Sequence, residues 1–363
     1  MNNKKNLRFL FAMVLLVLIA SVLASRVQTA GGQVRVLDIK IPTQNGQWVF
    51  ADLFRPLSAS SENPAPLVVV VPGFQRSKEA LANISIELAR RGIVVISIDP
   101  YAQGRSSSSM SRIAATTEGY GMFAVVDYAA SSANLNYIDK SRIGATGHSA
   151  GGNAAIRGAN YFGREAQRTG LPSKLHSVFV SGYVLTLRED VLKDVQSNIG
   201  VSYAYYDEGA YRNELKNADM RRAPEALRVI NLGRDPALPL LQEVELGHYY
   251  GELADRRLRV VHNERILHPF QPYMPEATAN QLEYFERVFG LDFERSSRDQ
   301  VWYWKELLGV ISLFAALVAL MPLARIVLLA GYLLPGVRSV APALPRPSGK
   351  GLARGWGGCA LGA

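Results

Sequence analysis

Cysteine is almost missing from this chain: one residue, Cys359, in 363. A disulfide framework and a multi-cysteine zinc site are therefore excluded. No G-x-G-x-x-G opens the first helix after a buried strand, which removes a nicotinamide-dependent dehydrogenase. Nothing in the pattern asks for a metal or an organic cofactor. Acidic residues are missing from both ends. Residues 1–26 carry Lys4, Lys5, Arg8 and Arg26 with no acid, and residues 336–363 carry Arg338, Arg346, Lys350 and Arg354 with none. Those ends hold nearly all of the formal net charge of +9, so the body between them is close to neutral. Basic ends beside apolar runs are membrane-topology charge and not a nucleic-acid footprint. Apolar residues make up 48% and charged residues 20%, enough for a large core and too apolar for general disorder.

Two long runs lack charge. Residues 9–24 are mostly apolar behind a basic start, which fits an uncleaved anchor or a signal peptide, with Val22-Leu23-Ala24 a passable cleavage site. Residues 307–324 would make a helix of about 27 Å, apolar on all faces, as a membrane span needs. Trp302, Tyr303 and Trp304 precede it as an interfacial aromatic belt. After Arg325, residues 326–337 suggest a second short or re-entrant segment, so 305–337 reads as transmembrane. The Gly-, Pro- and Arg-rich tail 338–363 reads as disordered and unlike the rest, as a frameshifted end would. The charge bias favours a cytoplasmic N-terminus and an extracytoplasmic domain at the cell membrane.

Between the runs, residues 33–293 alternate short buried strands with amphipathic helices. Strands are expected at 34–41, 48–54, 67–71, 93–98, 142–146, 177–184, 199–203 and 258–261. Helices are expected at 80–91, 122–133, 150–161 and 275–289. This is an α/β pattern, a mainly parallel sheet with helices on both faces.

Gly147-His148-Ser149-Ala150-Gly151 is a G-x-S-x-G between a strand and a helix. Small residues allow the sharp turn, and the helix N-terminus favours developing negative charge, so Ser149 is the candidate nucleophile. Serine needs a base. His148 lies inside the turn, its side chain expected to point away from the serine, and His176 opens a strand. His268 occupies the loop between the last strand and the last helix; His262 and His248 are the alternatives. The orienting acid should follow the second strand after the serine helix, which places Asp207 first, with Asp235 and then Glu208 behind it. Oxyanion donors are expected from the N–H groups of Ala150 and of Phe74, in the turn Val71-Pro72-Gly73-Phe74. The loop from Asp99 to Ser106 reads as structural, shaping the mouth of the site.

These residues resemble the α/β-hydrolase superfamily over about 33–293, through the Pro72-Gly73-Phe74 turn, the Asp99…Gly104-Arg105-Ser106 loop, the elbow and the order Ser…Asp…His. With its flanking apolar runs and the Trp302-Tyr303-Trp304-Lys305-Glu306 entry, the chain is most similar to bacterial membrane-bound, dienelactone-hydrolase-like proteins. It departs from the family at Ala204, where a glycine usually stands three residues before the acid. The resemblance implies a Ser-His-Asp hydrolase with a small-molecule ester or acyl substrate. A peptidase or acyltransferase would use the same residues, and a non-catalytic membrane scaffold is the contrasting reading. Residues 208–257 are expected to be mostly helical and could cap the site.

Overall fold

The structure is a computed structural model, and it describes residues 3–328. Of the expected second segment at 326–337, residues 326–328 continue the helix that begins at Trp302; its remainder, the tail 338–363 and Cys359 lie outside the described residues. Eight strands form one sheet in the order β1-β2-β4-β3-β5-β6-β7-β8. They are β1 Val34–Pro42, β2 Trp48–Pro56, β3 Ala65–Val71, β4 Val94–Ile98, β5 Ile138–His148, β6 Ser177–Ser181, β7 Asn198–Ser202 and β8 Arg259–His262. β2 pairs antiparallel with β1 and β4, and every other pairing is parallel. The helices are α1 Asn3–Gln28, α2 Ala82–Arg90, α3 Ala114–Thr117, α4 Met122–Ser131, α5 Ala150–Thr169, α6 Glu189–Leu192, α7 Pro224–Gly233, α8 Pro275–Val288 and α9 Trp302–Leu328. This strand order with its crossover helices is the α/β-hydrolase fold.

The two faces can be read from β3 alone. Leu67, Val69 and Val71 join one core with Met122, Val125 and Ala154, whereas Val68 and Val70 join the other with Ile84, Leu88 and Phe285. Alternate residues thus bury on opposite faces, which is why the strand is apolar throughout. Each such side chain contributes about 1.5–3 kcal/mol of transfer free energy.

The chain separates into two compact units. One is Ser21–Gly309, which contains the sheet; the other combines the described residues up to Ala20 with those from Val310 to Leu328. Helices at Lys4–Gln28 and Trp302–Leu328 are long and apolar enough to cross a membrane by length and composition. In the second unit, Ala315 and Ala319 are buried one turn apart on α9, and Ala20 is buried on α1.

Within the sheet-bearing unit, the first turn of α9 is fixed by a buried carboxylate. Glu87 on α2 accepts the Val301 and Trp302 N–H groups at 2.7 and 3.0 Å, and the Arg90 and Arg91 guanidiniums at 2.7 and 2.8 Å. Two cations and two amides satisfy a fully buried anion, and the same carboxylate caps a helix N-terminus. Trp302 is consequently buried and bonded to Gln300, so of the expected aromatic belt only Tyr303 and Trp304 are exposed.

Several boundaries moved. α5 runs eight residues beyond the expected 161, to Thr169. β6 stops at Ser181, because Gly182 takes a left-handed φ of 64° and turns the chain. The stretch 208–257 is not mostly helical. It holds one short turn, Ala210–Arg212, and α7. Prolines 236 and 239 and glycines 247 and 251 break it.

Candidate active site

β5 delivers Ser149 to the carboxyl edge of the sheet, and α5 starts at the next residue. The turn is so tight that a methyl group on Gly151 would overlap the Val71 carbonyl, and one on Gly147 would overlap the Gly151 backbone. Ser149 itself sits at φ 57°, ψ −117°, an unfavourable conformation for a residue with a side chain. Such strain costs on the order of 1–3 kcal/mol and clusters at functional sites. The Ser149 N–H is tied to the Ser181 carbonyl at 2.8 Å, which locks the elbow against β6.

The acid comes from the turn after β7 and the imidazole from the loop after β8. His268 Nδ1 lies 2.8 Å from Asp207 Oδ2. Asp207 Oδ1 also accepts the Gly209 N–H at 2.6 Å. Burial pushes the Asp207 carboxyl up, but the bonds from His268 and Gly209 more than offset this and hold it below the usual carboxylate range. The carboxylate is 7% exposed and the imidazole 24%, so the pair is closed at one end and open at the other.

Two clefts meet at these groups. The larger, about 480 Å3, is lined by Ser149, Ala150, Asp207 and His268 together with Tyr120, Tyr183, Tyr203 and Tyr211. The smaller, about 170 Å3, is lined by Gly73, Phe74, Arg76, Ser149, His268 and Tyr273. The structure therefore brings Ser149, His268 and Asp207 to one place, with Phe74 on one side and Ala150 on the other. Glu208 borders the larger cleft without contacting the imidazole. The other candidates lie elsewhere. Asp235 is exposed and accepts the Ala237 N–H of its own turn. His262 is buried against Phe179. His248 is exposed, stacked edge-on against Tyr250. The Asp99 carboxylate accepts the Lys78 and Arg105 backbone N–H groups at 2.9 Å each, which closes its loop and ties it to the segment after β3.

Two features escaped the sequence. The His148 ring packs against that of His268, the centroids 4.6 Å apart. Burial, and then the neighbouring His268, push its pKa down to about 3. A neutral ring thus packs beside His268. The second feature is a brace under the histidine loop. Buried Glu264 accepts Ser202 Oγ at 2.8 Å, Gln271 Nε2 at 3.0 Å and Asn280 Nδ2 at 2.8 Å. Its carbonyl also takes the Tyr205 N–H at 2.7 Å, linking the histidine loop to the acid turn. The signal available in sequence was an acid directly after the last strand, which carries no pattern of its own.

Fold and elbow define a serine hydrolase of the α/β-hydrolase superfamily. Residues 22–208 match the family described as PETase, PET hydrolase-like; that is just over half of the 363 residues, and the chain belongs to this family. It is a serine ester hydrolase. The match includes Ser149 and Asp207 and ends before His268. The finer likeness to dienelactone-hydrolase-like proteins has no counterpart in this match. Among curated proteins nothing matches. Among solved structures, an esterase of Pyrococcus furiosus is similar at 12% identity and a TM-score of 0.47, covering 71% of this chain and 94% of that one. An esterase of Pyrobaculum calidifontis is similar at 19% identity and 0.46, covering 80% and 94%. The α/β hydrolase GrgF of a Penicillium species is similar at 11% and 0.47, covering 71% and 100%.

Proposed function

We propose that the chain is a membrane-tethered esterase working through Ser149, His268 and Asp207. His268 Nε2 takes the proton from Ser149 Oγ as the oxygen attacks an ester carbonyl. Asp207 holds the Nδ1–H and stabilises the imidazolium that forms. The Phe74 and Ala150 N–H groups receive the oxyanion, each contributing roughly 3 kcal/mol to the transition state. The intermediate collapses to an acyl-enzyme, His268 protonates the departing alcohol, and a water activated by the same imidazole releases the acid. The neutral His148 ring adds no like charge beside the imidazolium.

The observation that carries this reading is the 2.8 Å imidazole–carboxylate pair opening onto the cleft of a strained serine. Aromatic side chains on both sides of Ser149, together with the family's namesake activity on PET, support an ester of an aromatic acid as the first substrate class. The two apolar helices support tethering, with the sheet-bearing unit on the extracytoplasmic side. The test is fluorophosphonate labelling of membranes that express wild type and Ser149→Ala. Labelling of the wild type alone supports the reading. A folded wild type that stays unlabelled would falsify it.

A further inference from the structure

The sheet has a second cavity at its other end, where β6, β7 and β8 begin, with a volume of about 520 Å3. Its lining includes four cations, Lys193, Arg256, Arg257 and Arg259, and the acid Asp255. Some guanidiniums of the unit meet carboxylates, as Arg91 meets Glu87 and Arg228 meets Glu214, and others, such as Arg55, are held by a backbone carbonyl. Among the described residues, none of these four cations belongs to an ion pair. Backbone carbonyls hold the arginines instead. Arg256 donates to Ser173 at 2.8 Å, Arg257 to Arg234 at 2.5 Å, and Arg259 Nη1 to Ser197 and Leu258 at 2.9 Å each.

Arg259 is the telling residue. It is 4% exposed, and its Nε has no partner. Carbonyl dipoles orient a guanidinium but carry no net charge, and a buried cation without a counter-charge is costly. Burial alone lowers Arg256; burial lowers Arg259 to about 10, with no carboxylate opposing it in either case. Arg256 is also held at a left-handed φ of 56°. The fold thus keeps three guanidiniums around one cavity at a cost that an anion would offset.

We propose that this cavity binds a phosphate group, as a monoester or diester. Forked arginine donors and a lysine point charge suit phosphate oxygens. Such a group has two sources, a free phosphate or the headgroup of an anionic phospholipid. Within the sheet-bearing unit, β1 begins at Val34 and α9 at Trp302, both at this same end of the strands.

The test uses the full chain and its melting temperature. Detergent-purified protein is heated with inorganic phosphate, or with chloride at equal ionic strength. Protein in phosphatidylcholine nanodiscs is heated with and without phosphatidylglycerol. Arg257→Gln and Lys193→Gln are measured beside the wild type, with circular dichroism and a cooperative melting transition confirming that each is folded. Saturation should raise the wild-type melting temperature by roughly 2–5 °C more than that of either variant. A differential rise with inorganic phosphate assigns a free phosphate, and one confined to phosphatidylglycerol assigns the headgroup. Equal shifts in all three proteins overturn the proposal. Lys193 is exposed and its ammonium holds nothing in place, so Lys193→Gln decides the matter if Arg257→Gln fails to fold. The outcome is independent of the esterase reading, since Ser149→Ala should respond as the wild type does.

Discussion

At the carboxyl ends of the strands, Asp207 keeps its charge beside one imidazole and one backbone N–H, and His268 stays partly open to solvent. At the amino ends, Glu87 is sealed between two guanidiniums and two amides, with no solvent path. Both are anions below the surface, yet only the first has a partner that can change its protonation state. A carboxylate beside an imidazole can support proton traffic; one between arginines can only hold parts together. The comparison teaches that burial and pairing alone do not mark a candidate catalytic acid. The chemistry of its partner does.

The comparison can be broken most sharply at the serine. Ser149→Ala should lower kcat on a soluble ester by about 10⁴-fold or more while leaving melting unchanged, since alanine keeps the Cβ and with it the backbone strain. Next is the acid: Asp207→Asn should cost about 10⁴-fold in kcat through loss of the correct tautomer, and Asp235→Asn should cost nothing measurable. An equal loss in both variants would sink the assignment. At the other end, Glu87→Gln should reverse the pattern. It leaves Arg91 buried without its counter-charge, so stability should fall by about 3–5 kcal/mol in chemical denaturation, with kcat per folded molecule retained.

The smallest effect concerns pH. Burial lowers His262 and His176 to about 4 and His148 to about 3. Each folded-state value lies below that of the unfolded chain, so between about pH 4 and 6.5 the unfolded chain binds more protons. Stability therefore rises with pH across that window and is lost as pH falls. His262→Gln should flatten the slope by up to about 1.4 kcal/mol per pH unit, measured by denaturant titration at several pH values. An unchanged slope would show that His262 is protonated in the fold.

What was legible in the sequence follows from periodicity. The five apolar residues before Pro72 read as a strand buried on both faces, and β3 is that strand. The glycines around Ser149 read as a sharp turn, and the close approach of Val71 explains why both are needed. Asp207 and His268 could be named from the loops they occupy, and the structure pairs them at 2.8 Å. Their approach could not be read, because it depends on β7 and β8 lying side by side across 61 residues of chain. The packing of His148 against His268 was not legible, because His268 arrives from 120 residues further along the chain. Glu264 and Glu87 were silent for a related reason: each satisfies donors from distant segments, and local spacing carries no trace of them.

The Glu87 cap bears on where the chain can be shortened. An enzyme cut just after α8, at the last residue of the periodic pattern, would take away two of the amides that the carboxylate holds and strip the cover from Arg91, whose guanidinium also reaches the Ser296 and Asp299 carbonyls. A soluble version that begins after α1 should therefore keep the first turn of α9, including Trp302, and sacrifice only the apolar residues that follow.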